Sequence, residues 1–154
     1  RDLVNMAIFD WALRHGIDKR PGPSNFWSLR DHDIPARPGV YVLVAGPGVR
    51  FNYPAGRSPV FYIGCSKNLR QRLIDHLKWS EEAADYRRSR LYWPRYEYAA
   101  VYGSRYAYIR TWQNVTPKQL EDILLACFAL RYLSFPVANG QGAWRRVQTE
   151  IEHF

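Results

Sequence analysis

Two short apolar runs and the segment behind them constrain this chain more than anything else in it. The first run, Val40–Val44, is rich in β-branched residues and is entered through Gly39-Val40-Tyr41; the second, Val60–Ile63, leaves through Tyr62-Ile63-Gly64. Both have the length of a strand and neither is long enough for a helix. Behind Gly64 the period changes. Leu69, Leu73 and Leu77 recur every four residues, which predicts a helix with Ser66 as its cap and these leucines as its core stripe. Gly64 lacks a Cβ and permits the sharp exit from strand to helix. Pairing the two strands in a hairpin puts Tyr41 and Tyr62 near one sheet face.

The rest of the chain reads as an α+β layout around that unit. Asp2 to His15 is expected to be helical, with Leu3, Ala7, Ile8, Trp11 and Ala12 at helical spacing and Gly16 at its end. The stretch 17–38, punctuated by Pro21, Pro23, Pro35 and Pro38, is read as a loop wrapping the domain. Residues 45–59, rich in Gly and Pro, form a long hairpin connection. Residues 80–94 are polar and carry the basic cluster Arg87, Arg88 and Arg90. Tyr96–Tyr102 alternates and is expected to be a strand, with Tyr106–Trp112 as its partner across Gly103-Ser104. Thr116-Pro117-Lys118-Gln119 carries the marks of a helix start, with a capping box and proline at the first helical position. That helix should run to about Leu133 and bury Leu120, Ile123, Leu124, Cys127 and Leu130. The fold class expected is a small, mainly antiparallel sheet flanked by helices. Its domain spans residues 38–140, preceded by a helix and loop over 1–37 and followed by a tail over 141–154.

Charge narrows the partners. Against 14 acidic residues stand 22 Lys and Arg, a net +8 with a pI near 9.7, which favours a polyanion because basic side chains on phosphates release condensed counterions. The plainer alternative is a basic globule with no such partner. Two cysteines, Cys65 and Cys127, are too few for a disulfide framework and fit a reduced, cytoplasmic setting. No apolar run approaches the length of a membrane span. The four histidines lack metal-ligand spacing. The chain begins at Arg1 rather than Met, as a piece of a longer protein would.

Several residues suit phosphodiester chemistry. Arg72 and His76 are four apart, so they share a helix face distinct from the leucine stripe. An arginine there binds phosphate through its planar fork and neutralises charge that grows in the transition state; a solvated helix face is the bland alternative. Glu121 lies in the first turns of its helix, where a favourable dipole interaction would by itself account for it. A lone carboxylate is also chemically adequate for Mg²⁺, which keeps most of its waters. Asp122 is turned about 100° away around the helix.

Taken in order, Gly39-Val40-Tyr41, Tyr62-Ile63-Gly64, Ser66, Leu69, Arg72-Leu73, His76, Glu121 and Asn139 resemble the motifs of the GIY-YIG nuclease family over roughly residues 38–140. The resemblance implies metal-dependent hydrolysis of DNA, with Mg²⁺ or Mn²⁺, to 5′-phosphate and 3′-hydroxyl ends. It implies that Tyr41 is the general base or water-positioning group and that Tyr62 helps hold the water or the phosphate. It further implies that Arg72 stabilises the transition state, that His76 assists and that Glu121 holds the metal. Gly39, Gly64 and Asn139 are supporting positions, Asn139 near the active face. Lys67, Arg70, Arg87, Arg88, Arg90, Arg50 and Arg57 are candidates for contact with the DNA backbone.

Three features depart from that pattern. The tyrosines are 21 residues apart, about twice the family's usual spacing, so residues 45–59 read as an insertion that would serve as a lid or a groove-reading loop. Cys65 stands where many members carry Lys or another polar residue. The first 37 residues and the segment 80–94 have no assignable counterpart. Restriction or defence suits such a unit, and a homodimer is the simplest route to a double-strand cut. The competing expectation is a nucleic-acid-binding module of the same fold that does not cleave, or needs a partner to do so.

Overall fold

A computed structural model of the chain describes residues 24–25, 34–85, 94–111 and 115–139. Six strands and three helices alternate along these residues: β1 (Ser24–Asn25), β2 (Gly39–Val44), β3 (Phe51–Tyr53), β4 (Gly56–Ser58), β5 (Val60–Ser66), α1 (Leu69–Ala84), α2 (Pro94–Tyr102), β6 (Arg105–Arg110) and α3 (Pro117–Tyr132). The main sheet is antiparallel, in the order β1-β6-β2-β5, and β3 and β4 form a separate two-stranded ribbon. The molecule is α+β.

The central strand explains the sheet. Every residue of β2 is buried, because helices cover both faces, so its sequence is a continuous apolar run rather than an alternation. Val40, Val42 and Val44 point to one side with Ile63, where Leu120, Leu124, Leu125 and Phe128 of α3 pack on them. Tyr41 and Leu43 point to the other, against Leu69 and Leu73 of α1 and Ala99 of α2. Near Val44 the β2–β5 register slips by one, since Leu43 faces Tyr62 but Val44 faces Val60. Phe61 is the extra residue of this bulge and turns into the second core with its neighbour Tyr62.

The helix ends follow the rules of capping, with one change from the expected residue. Strand β5 continues through Ser66, and Asn68 is the cap of α1, its side chain accepting from the Gln71 amide at 3.1 Å. Ser66 holds that turn from behind, its hydroxyl accepting from the Asn68 amide at 3.0 Å. Thr116 and Gln119 form the expected capping box on α3, with Pro117 in the first turn. The helix ends at Tyr132 on a left-handed Leu133 whose amide reaches Ala129 O at 2.8 Å.

One expectation is overturned. Tyr96–Tyr102 is helix, not strand. Tyrosine and valine favour strands weakly and packing overrides them: Tyr98 and Tyr102 meet Phe51 with ring centres 5.5 and 5.2 Å away, and Ala99 is buried below. Only helical spacing puts all three on one side. β6 therefore pairs with β2 and β1 rather than with a preceding strand. The insertion 45–59 carries the β3-β4 ribbon. Its ribbon is fastened by Tyr53, whose hydroxyl donates to Val60 O at 2.8 Å and accepts from the Val137 amide at 3.1 Å. Ala55 N also donates to Tyr132 O at 3.2 Å, tying the ribbon tip to the end of α3.

Among the described residues no helix is long and apolar enough to cross a membrane. The expected N-terminal helix, most of the wrapping loop, the cluster Arg87, Arg88 and Arg90, and the tail lie outside the described residues.

Candidate active site

Antiparallel register does the first work. Tyr41 on β2 stands opposite Gly64 on β5, so Tyr62, two residues back, falls on the same face, with ring centres 6.0 Å apart. Gly64 is required by this arrangement. A Cβ there would lie 2.6 Å from Tyr41 Oη and 2.7 Å from Cε1 of Tyr62, so only glycine lets both rings cross the strand. Gly39 is required by packing instead, since its Cβ would lie 2.4 Å from Ile109 O.

Helix α1 then brings its chemistry down onto the tyrosines. His76 is wholly buried, and its Nε2 lies 2.8 Å from Tyr41 Oη, the two rings meeting edge to face. One turn earlier, half-buried Arg72 reaches the same group of hydroxyls. Burial works against its charge, but the oxygens of Tyr41, Tyr62 and Tyr96 outweigh burial and raise its pKa. Protonation states follow from the surroundings. Burial pushes Tyr41 well above the ordinary range of a phenol, Tyr62 adds to this, and Arg72 and Arg95 only partly oppose it. Burial, then Arg95 and Arg72, hold His76 well below the usual imidazole value. At neutral pH the pair is a phenol against a neutral imidazole. With its proton on Nδ1, His76 accepts from the Tyr41 hydroxyl.

Glu121 approaches from the other face, in the second turn of α3, and is buried. Its Oε1 accepts from Lys118 Nζ at 3.2 Å, and the same ammonium lies 3.4 Å from Asp122 Oδ1. The two carboxylates thus share one cation on a long flexible stem. Cys65 contributes here too. Burial, with Glu121 beside it, pushes its thiol up to about 12, so it stays protonated. Among the described residues no group of three or more His, Cys, Asp and Glu side chains could enclose a metal. The residues present do fit Mg²⁺ or Mn²⁺ bound by one carboxylate, because Glu121 already holds a cation at a half-exposed position that water can fill.

The remaining predicted residues divide. Asn139 holds the strand that carries Tyr62. Its amide clamps edge strand β5, Oδ1 accepting from Ile63 N at 3.0 Å and Nδ2 donating to Ile63 O at 2.9 Å. Arg70 is partly committed to the fold, its Nε donating to Ile34 O at 2.8 Å. Exposed Lys67 lines an open groove of about 670 Å³ between the starts of α1 and α3, together with Cys65, Gln71, Arg72 and Lys118. Arg50 and Arg57 are exposed beyond the opposite end of the sheet. From Gly64 back to Val60 alone is roughly 13 Å at 3.3 Å per residue.

Two neighbours of the site were missed by reading the sequence. Tyr96 stands over His76 with ring centres 5.1 Å apart, and the Arg95 guanidinium lies 5.4 Å from the Tyr62 ring and 4.8 Å from the Tyr96 ring. Both come from the first turn of α2. The signal that marks them is Pro94, a residue suited to the first position of a helix, with Glu97 in the turn behind it.

Comparison of the chain with protein-family models, with curated proteins and with solved structures gives no match.

Proposed function

We propose that the protein is a metal-dependent DNA endonuclease of the GIY-YIG type, hydrolysing phosphodiesters to 5′-phosphate and 3′-hydroxyl ends. The observation that carries this reading is the meeting of Tyr41, Tyr62, His76 and Arg72 on one sheet face, with buried Glu121 across the edge strand. The net charge of +8 supports DNA as the partner.

The protonation states shape the mechanism. A phenol whose pKa is raised this far is not a standing phenolate, so Tyr41 works as a relay. Its oxygen takes a proton from the attacking water while its own proton passes to His76 Nε2, leaving hydroxide at phosphorus and an imidazolium on the helix. Tyr62 positions the water through its hydroxyl. Arg72 donates to the non-bridging oxygens as charge develops on them. Glu121 would hold Mg²⁺ or Mn²⁺, which when bound would supply Lewis-acid neutralisation of charge on the departing 3′ oxygen.

The test is plasmid nicking and linearisation by the purified protein beside Arg72→Ala and Glu121→Ala. Each variant is expected to lose ~10²–10³ in rate while still binding DNA. Cleavage by Glu121→Ala at the wild-type rate, with the same metal requirement, rules this site out. A second reading is a DNA-binding module that needs a partner chain to cleave, and the Lys118 ammonium seated on Glu121 favours it. Salt-sensitive binding with no cleavage in either Mg²⁺ or Mn²⁺ is its signature. Under the nuclease reading the setting is cytoplasmic restriction or defence, and a homodimer gives double-strand cuts.

A further inference from the structure

Helix α2 has no counterpart among the motif residues, yet its first turn reaches the catalytic cluster. The packing of Tyr98, Ala99 and Tyr102 against Phe51, Phe61 and the sheet fixes the helix, and with it the place of Arg95. The Arg95 guanidinium lies 5.4 Å from the centre of the Tyr62 ring and 4.8 Å from that of Tyr96, and its Nη2 donates to Tyr96 Oη at 3.4 Å. A guanidinium beside aromatic rings keeps its planar fork of donors, which suits oxyanions. Arg72 comes to the same place from α1. Tyr41, Tyr62 and His76 are each within electrostatic reach of both guanidinia. An anion on this face would be drawn to both guanidinia.

We propose that Arg95 is a second phosphate-binding residue of the site, taking the non-bridging oxygens of the DNA phosphodiester together with Arg72. This rests on the nuclease reading for its substrate.

The alternative is that Arg95 only packs α2 onto Tyr62. Arg95→Met keeps the unbranched stem and loses the charge; Arg95→Lys keeps the charge and loses the fork. Both variants are compared with the wild type by duplex-DNA anisotropy in EDTA over a salt series, and by cleavage kinetics in Mg²⁺, after melting curves establish that they fold. Arg95→Met is expected to lower kcat by ~10²–10³ and to reduce the slope of log affinity against log salt by about one. Arg95→Lys is expected to keep the salt slope and stay impaired in kcat. A wild type that cleaves, with Arg95→Met equal to it in kcat and in slope, overturns the proposal and leaves the nuclease reading standing. A folded wild type that never cleaves overturns the nuclease reading instead, and the salt slope alone then decides: a drop of about one upholds the phosphate contact, and no change overturns it.

Discussion

Tyr41 and Gly64 are intelligible only as a pair. The buried phenol crosses the neighbouring strand where that strand has no side chain, and there its hydroxyl meets His76. Gly64→Ala should therefore displace the Tyr41 ring, destabilise the fold by about 1–3 kcal/mol as overpacking does, and abolish cleavage in variants that remain folded. Urea titration and plasmid nicking measure the two effects separately. His76 carries a pH prediction. In the unfolded chain it titrates near its ordinary value of about 6.5, and in the fold burial, with Arg95 and Arg72, holds it well below. The unfolded state takes up the proton first as pH falls. The stability linked to neutral His76 is thus fully present above about pH 6.5 and is lost below it, at up to about 1.4 kcal/mol per pH unit until the folded pKa is reached. Urea midpoints should fall more steeply on acidification for the wild type than for His76→Gln. Equal slopes would mean that His76 is not buried as a neutral group.

Strand β5 lies at the edge of the sheet, and both Tyr62 and Gly64 depend on its position. Residues 137–139 take the place of a further strand there. Ala138 N donates to Phe61 O at 2.9 Å, and the Asn139 amide satisfies both backbone groups of Ile63. Asn139→Ala leaves that N–H and C=O without the amide, at a cost of about 1–3 kcal/mol. Hydrogen exchange of the Ile63 amide should accelerate first, ahead of the central strand β2. Uniform acceleration across the sheet would count against a local role. The helices differ in how openly the chain announces them. The capping box of α3 is written in four consecutive residues, Thr116 to Gln119. Helix α2 has tyrosines that favour either state, and what decides it is Phe51, more than forty residues away in sequence.

Across the whole molecule the sheet is a partition. α1 and α2 bring Arg72, His76, Arg95 and Tyr96 to one face, α3 brings Glu121 to the other, and the two sets meet around edge strand β5. The ribbon β3-β4 is fastened to the far end of α3, with Arg50 and Arg57 exposed on or beside it. If the +8 charge serves DNA, these arginines contact backbone at a distance from the cut. Arg57→Ala should weaken binding and lower the salt slope by about one while kcat stays at its wild-type value. Anisotropy over a salt series and saturating cleavage kinetics check this, and a fall in kcat with unchanged binding would contradict it.

Features that depend on near neighbours in the chain are legible from the order of residues. These are the strands from their apolar runs, the helices from leucine period and capping chemistry, and the candidate residues Tyr41, Tyr62, Arg72, His76 and Glu121 from side-chain type and order. Tertiary structure alone decided that residues 94–102 are helical, and that Arg95 and Tyr96 join the cluster. It alone set Cys65 beside Glu121, turned Asn139 into a clamp on β5, and folded the insertion onto the end of α3. Each of these depends on contacts between residues 20 to 84 positions apart or on a choice between two nearly equal backbone preferences, and local propensity is too weak to settle either.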